Sequence, residues 1–190
     1  MNLSSLSNVQ IAIILSIAAL VVLAGFAIWL VTRKQRTARL RTRFGSAEYS
    51  RAVEEGGSQR KAEAVLDGRA RRVEGLHIKP LAPGDRIRFV DSWAKVQSRF
   101  VDGPGSAVTD ADQLLGDVMS TRGYPVSDFE QRAADISVDY PLVLENYRAA
   151  HQSAVRQKDG QASTEDLRQA MIHYRTLFEE LIREPEPARA

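Results

Sequence analysis

The hydrophobic pattern begins with one long apolar run close to the amino end. Ile11 to Val31 form 21 residues in which Ser16 is the single polar side chain. A helix of this length covers about 32 Å, which matches the hydrocarbon thickness of a bilayer. A core helix of a soluble protein would also carry a polar stripe at helical period, and none is present here. The run therefore predicts a transmembrane helix over residues 9–32.

A cleavable signal peptide is the alternative interpretation of the same run. Such a peptide needs a basic segment before a shorter apolar core and a small-residue cleavage site after it. Residues 1–8 contain no basic side chain, and Arg33 and Lys34 follow the run directly. This arrangement predicts an uncleaved anchor that is preceded by a short external N-terminus, residues 1–8.

From residue 44 onward the apolar positions recur at steps of three and four, which is the helical period. No run of β-branched residues alternates with polar ones, as a strand would require. Glycine and proline pairs separate the periodic segments. The sequence therefore predicts an all-α protein, in which a single N-terminal transmembrane helix is followed by a cytoplasmic helical bundle of about five to seven helices.

The same glycine and proline residues suggest boundaries within the soluble part. Residues 44–79 form a helical arm that either joins the bundle or makes a stalk to the membrane, residues 80–184 form the bundle, and residues 185–190 form a disordered tail. Within the bundle, a helix over 84–102 is expected to bury Phe89, Val90, Trp93, Val96 and Phe100. A capping box over residues 127–130 predicts the start of a further helix.

Charge gives the anchor an orientation. No basic residue precedes the apolar run, whereas the juxtamembrane segment 33–43 contains Arg33, Lys34, Arg36, Arg39, Arg41 and Arg43. The positive-inside rule places these residues in the cytoplasm, where they contact anionic lipid headgroups at about 1 kcal/mol each. A nucleic-acid arm is the alternative interpretation, and the position against a membrane span favours the topological role. We therefore expect the lipid bilayer as a partner and no nucleic acid.

The remaining charge is divided along the soluble part. Residues 44–100 carry 11 basic and 8 acidic side chains, a net of +3, and residues 101–190 carry 9 and 16, a net of −7. An anionic leaflet repels the distal half, so that half is expected to face away from the membrane and to offer a surface to a partner.

The sequence offers few candidates for catalytic or metal-binding residues. The chain contains no cysteine, and its histidines His77, His151 and His173 lack the spacing of a metal or catalytic motif. Asp110, Asp112 and Asp117 are expected to lie on a solvated helix face. We therefore predict no enzyme activity, no metal and no cofactor. An enzyme with an unfamiliar site would need a deep polar pocket holding a histidine and two acids.

The loop Arg122-Gly123-Tyr124-Pro125 has an unusual sequence, in which a tyrosine stands between a helix-ending glycine and a proline. Tyr124 with Arg122 could contact a partner, because loops carry recognition residues. The tyrosine could equally close the end of the bundle by packing. Both alternatives stay open at the level of sequence.

Four segments of the chain resemble an uncharacterised family of small bacterial proteins. The segments are FVDSWAKVQSRFVD, VMSTRGYPVSDFEQRAAD, ENYRAAH and STEDLRQAMIHYRTLFEEL, and the resemblance extends over about residues 40–182. Members of that family have an N-terminal hydrophobic anchor and a helical remainder. The resemblance implies the bacterial cytoplasmic (inner) membrane as the location, and it transfers no functional residue.

Two functions follow from these features. The first is a membrane-anchored cytoplasmic helical module that binds a protein partner, including a second copy of itself as a homo-oligomer. The second is a lipid-binding or membrane-organising protein that acts through the basic juxtamembrane segment and through the arm, whose basic residues are Arg60, Lys61, Arg69, Arg71 and Arg72. Binding of the soluble part to anionic vesicles would distinguish the two.

Overall fold

A computed structural model describes residues 8–125 and 127–183, with side chains from residue 15 onward. This part contains seven α-helices and no β-strand, which confirms the all-α prediction for it. The helices are α1 (Asn8–Gly56), α2 (Gln59–Glu74), α3 (Pro83–Arg99), α4 (Pro104–Arg122), α5 (Phe129–Asp139), α6 (Pro141–Lys158) and α7 (Thr164–Ile182). The predicted tail 185–190, and the N-terminal segment apart from Asn8, lie outside the described residues.

The first of two compact units comprises residues Met1–Thr42. Among the described residues, one helix near the N-terminus is long and apolar enough to cross a membrane, and it begins at Leu15 in the described side chains. Its apolar side chains up to Val31 are exposed, Leu20 and Val22 among them. Exposure of this kind distinguishes the helix from the core helix of a soluble protein, whose apolar side chains are buried.

The second unit comprises Arg43–Ala190 and has its own core. Gly45 interrupts the helical dihedrals of α1 with φ 76° and ψ 163°, a conformation that glycine adopts without steric cost. The core of the unit is built from one apolar face of each helix from α3 to α7, and its largest fully buried side chains include Tyr147, Tyr174, Leu115 and Met119. These apolar positions recur at helical spacing, which explains why the sequence pattern located them.

The arm belongs to this second unit. Phe44, Tyr49 and Leu66 are buried, and α2 packs against α5. Glu48 accepts hydrogen bonds from Arg148 of α6 at 3.3 and 3.4 Å, although 100 residues separate the two along the chain. Of the two alternatives that the sequence left for residues 44–79, the structure therefore shows the one in which the arm joins the bundle.

Local signals in the sequence determine most helix ends. Proline stands at the start of α3, α4 and α6, where its missing N–H is not needed. Ser163 and Asp166 form a capping box at the start of α7. At α5 the structure differs from the expected capping box over 127–130. Asp128 is the N-cap there, one residue later than Ser127, and its carboxylate accepts from the N–H of Gln131 at 2.9 Å, which satisfies one of the free donors at the helix start.

Candidate interaction surface

A stripe of exposed apolar side chains runs along α3. It consists of Pro83, Ile87, Val90 and Ala94, which follow one another at steps of four, three and four residues. Ile87 is 64% exposed and Val90 is 44% exposed. Residues at these steps lie on one face of a helix. We call these four residues the α3 stripe.

The α3 stripe is separate from the core face of the same helix. Phe89, Trp93 and Val96 face the core, where the Trp93 ring stacks on Phe178 of α7 with centroids 4.7 Å apart. The expectation that Val90 is buried beside these residues is wrong. Val90 lies about 100° around the helix from Phe89, and this rotation takes it out of the core.

The stripe was not predicted from the sequence, because the apolar residues of this helix recur at helical steps on both of its faces. Dividing them by helical angle would have separated Pro83, Ile87, Val90 and Ala94 from the core residues. The helix has apolar residues on two faces, whereas one face is enough to attach a helix to a bundle. The second face is the signal that could have identified the surface.

Charged and polar residues border the stripe. Arg86 and Asp91 lie on its two sides, and with Pro83, Ile87 and Val90 they line a shallow depression on the surface. Away from the stripe, α3 shares a groove with α4 that is polar, with Lys95, Arg99, Asp110 and Gln113 among its lining residues. The neighbouring helix α4 therefore lies on another side of α3, and the stripe remains exposed.

The six basic juxtamembrane residues are all exposed. Arg33 places its guanidinium 5.4 Å from the centre of the Trp29 ring, at cation–π distance. Arg43 belongs to the second unit, where it donates to Glu74 at 2.9 Å. All six cations are accessible to solvent, and Arg43 also takes part in an ion pair.

The structure does not support the hypothesis that Arg122 and Tyr124 contact a partner. Tyr124 is 3% exposed and its hydroxyl donates to Asp139, while Arg122 is 8% exposed. Arg122 donates from Nη1 to the carbonyl of Leu181 at 2.8 Å and to the hydroxyl of Tyr140. These contacts tie the ends of α4, α5 and α7 together. Of the two alternatives for this loop, the structure shows the packing role.

Part of the basic cluster in the arm is used inside the bundle. Arg69 donates to buried Glu48, and Arg72 donates to buried Asp135 at 3.0 Å. The guanidinium of Arg69 is mostly buried, whereas that of Arg72 remains 44% exposed. Two of the five basic residues of the arm therefore have a structural role in the second unit.

A second polar cluster lies among α4, α5, α6 and α7. Asp112 accepts from the Tyr174 hydroxyl at 3.2 Å and from Arg132 at 3.3 Å, which corrects the expectation that it lies on a solvated face. His151 Nδ1 is 4.0 Å from Asp112 Oδ1, and the imidazole stacks on the Phe129 ring with centroids 3.6 Å apart. Burial raises the pKa of Tyr174 and lowers the pKa of His151. The described residues contain no group of three metal-ligating side chains.

Because His151 belongs to this cluster, we expect acidification to destabilise the second unit. Burial lowers the pKa of His151 in the fold below its ordinary value of 6.5, against the opposing effect of the Asp112 and Glu130 carboxylates. The unfolded chain therefore binds the proton first, and the free energy of unfolding falls as the pH decreases below 6.5. The loss reaches at most about 1.4 kcal/mol per pH unit.

Urea titrations between pH 7 and pH 5 measure this dependence, and His151→Phe is the matched variant because it preserves the ring stack on Phe129. The variant should flatten the pH dependence in this window. A variant that keeps the wild-type slope would contradict the assignment to His151.

No protein-family model matches the chain, and no curated protein or solved structure shows detectable similarity to it. The resemblance to an uncharacterised bacterial family therefore stays a prediction. The class of protein is defined by its own structure: a helical unit with an apolar N-terminal helix that is long enough to cross a membrane.

Proposed function

We propose that this protein is a membrane-tethered docking module that binds a protein partner through the α3 stripe. The observation that carries the proposal is the exposed apolar stripe on a unit whose core is complete without it. Burying exposed apolar side chains is favourable at about 25 cal/mol per Å², so a complementary apolar surface would bind there. The module has no catalytic role in this proposal.

The orientation of the anchor follows from its flanking charges. Residues before the apolar helix carry no Lys or Arg, and six basic residues follow it within 33–43. The positive-inside rule supports a short external N-terminus and a cytoplasmic position for the helical unit. The family resemblance supports the bacterial cytoplasmic membrane as the location.

The position of the stripe changes which surface we assign to the partner. The acidic distal half was the expected surface, but the α3 stripe is the one with apolar side chains that a partner helix can cover. Interface cores are depleted in charged residues, which favours the stripe over the acidic half. Tethering also confines the search for a partner to the membrane, which raises the effective concentration of any partner held there.

The proposal predicts that a charge in the stripe prevents docking without unfolding the protein. Val90→Asp would place a carboxylate in the interface, which costs at least about 1.4 kcal/mol and lowers association about tenfold. Crosslinking inside cells from a photoreactive side chain at position 87 measures this association. The melting temperature of the variant should remain near that of the parent because position 90 is exposed.

Val155→Asp provides the control. Val155 on α6 is 43% exposed, so it matches Val90 in residue type and exposure but lies outside the stripe. This variant should leave the yield of protein adducts from position 87 unchanged. Equal losses from both variants, or no protein adduct at position 87 in the parent, would rule out the α3 stripe as the docking surface.

A further inference from the structure

We propose that the partner of the α3 stripe is the α3 stripe of a second copy, with the two α3 helices side by side and parallel. This inference rests on the proposed docking function and names its partner. It follows from the spacing of the stripe, from the charges beside it and from the presence of a membrane anchor on every copy.

The spacing of the stripe is that of a two-helix seam. Apolar residues that alternate at steps of four and three are the a and d positions of a heptad, which face the partner helix. Pro83 and Val90 take the d positions, and Ile87 and Ala94 take the a positions. Such a stripe is complementary to itself about a two-fold axis, as the interface of a symmetric dimer must be.

The charges beside the stripe select the parallel arrangement. In this register Arg86 occupies the g position before Ile87, and Asp91 occupies the e position after Val90. In a parallel pair the g residue of one helix lies beside the e residue five positions later on the other, so Arg86 meets Asp91 twice. An antiparallel pair would set g beside g and e beside e, which brings like charges together.

The size of the stripe explains why an anchor is needed. Four small to medium side chains on about three helical turns bury less than the roughly 1,000 Å² that a stable interface in solution requires. Two copies held in one membrane meet at a far higher effective concentration than two copies in dilute solution. We therefore expect the full-length protein to pair in the membrane and the contact to be weak once the copies are separated in detergent.

The chain has no cysteine, so single cysteines can be introduced without removing native thiols. We would make Ile87→Cys, Val90→Cys and Ala94→Cys in the full-length protein and oxidise membranes gently. A parallel pair brings each of these positions within disulfide range of its own counterpart, with Cα atoms about 5–7 Å apart. Each variant should give a disulfide-linked dimer, and Val155→Cys on α6 should give several-fold less.

A charge exchange tests the parallel register separately. Arg86→Asp and Asp91→Arg should each lower the dimer yield from position 87 several-fold, because each single change sets like charges side by side. The double variant should restore the yield. Failure of the double variant to recover, or crosslinking that needs a mixture of Pro83→Cys and Ala94→Cys chains, would overturn the parallel arrangement.

The outcomes separate this inference from the proposed function. Dimers at positions 87, 90 and 94 but not at 155 support pairing between copies. Photocrosslinks from position 87 to a different protein, without these dimers, overturn self-pairing and leave the docking function in place. Absence of both kinds of product overturns both, and equal dimer yields at 87 and 155 mean random collision and overturn self-pairing.

Discussion

Replacing Glu48 by alanine is expected to lower the free energy of unfolding of the second unit by about 3–5 kcal/mol. Glu48 is 3% exposed and accepts hydrogen bonds from both Arg69 and Arg148. Removing the carboxylate leaves the mostly buried guanidinium of Arg69 without its carboxylate partner, and it leaves Arg148 with the exposed carboxylate of Glu130 alone, at 3.4 Å. Burying an unpaired charge is among the most costly changes in a protein. The arm would lose its main polar attachment to α6.

Urea unfolding of the full chain in lipid nanodiscs measures this effect. The fluorescence of Trp93, which is buried in the core, reports unfolding once Trp29 of the apolar helix is replaced by Phe. Glu55→Ala is the control, since Glu55 makes an exposed ion pair with Arg51 that contributes at most about 0.5 kcal/mol. Similar losses in the two variants would show that the Glu48 network does not hold the arm.

Replacing Gly123 by alanine is the second change with a large expected effect, a loss of about 3 kcal/mol. Gly123 ends α4 with φ 100°, a left-handed conformation that costs an alanine about 1–2 kcal/mol. A Cβ atom at this position would also clash with the backbone carbonyl oxygen of His77. That backbone is held close, because the Lys79 N–H donates to the Arg122 carbonyl at 2.8 Å.

Gly160→Ala separates the two causes of this loss. Gly160 also has a positive φ, 67°, but a Cβ atom there would meet nothing within 4 Å. The Gly160→Ala variant should therefore lower the free energy of unfolding by about 1 kcal/mol, from backbone strain alone. Thermal unfolding followed by circular dichroism compares the variants in the same background. Equal destabilisation by the two variants would show that the contact with His77 contributes nothing.

The all-α fold of the described residues could be predicted because its signals are local. Helical periodicity located the core residues of α4, α6 and α7, and glycine or proline marked most of the ends. Whether the arm packs on the bundle depends on Glu48 meeting Arg148, and a contact between residues so distant in sequence leaves no local pattern. The position of the arm therefore cannot be predicted from local patterns alone.

The candidate surface was harder to predict than the fold. An apolar residue in a helix has the same local pattern whether it faces the core or a partner, so Val90 was assigned to the core. Arg122 and Tyr124 show the same ambiguity, since the sequence left a recognition role and a packing role open for this loop, and the structure has both side chains buried at the bundle end. In both cases burial depends on which neighbouring helices cover the residue, and the local sequence does not contain this information.

The pairing of Glu48 with Arg148 also determines when the arm can complete its packing during translation. A ribosome adding about 5–20 residues per second needs a further 5–20 seconds, approximately, to reach position 148 after it has passed position 48. The apolar helix emerges before either residue, so it has already left the ribosome while Glu48 still lacks Arg148. The arm is therefore made early and completes its tertiary packing only when α6 has left the ribosome.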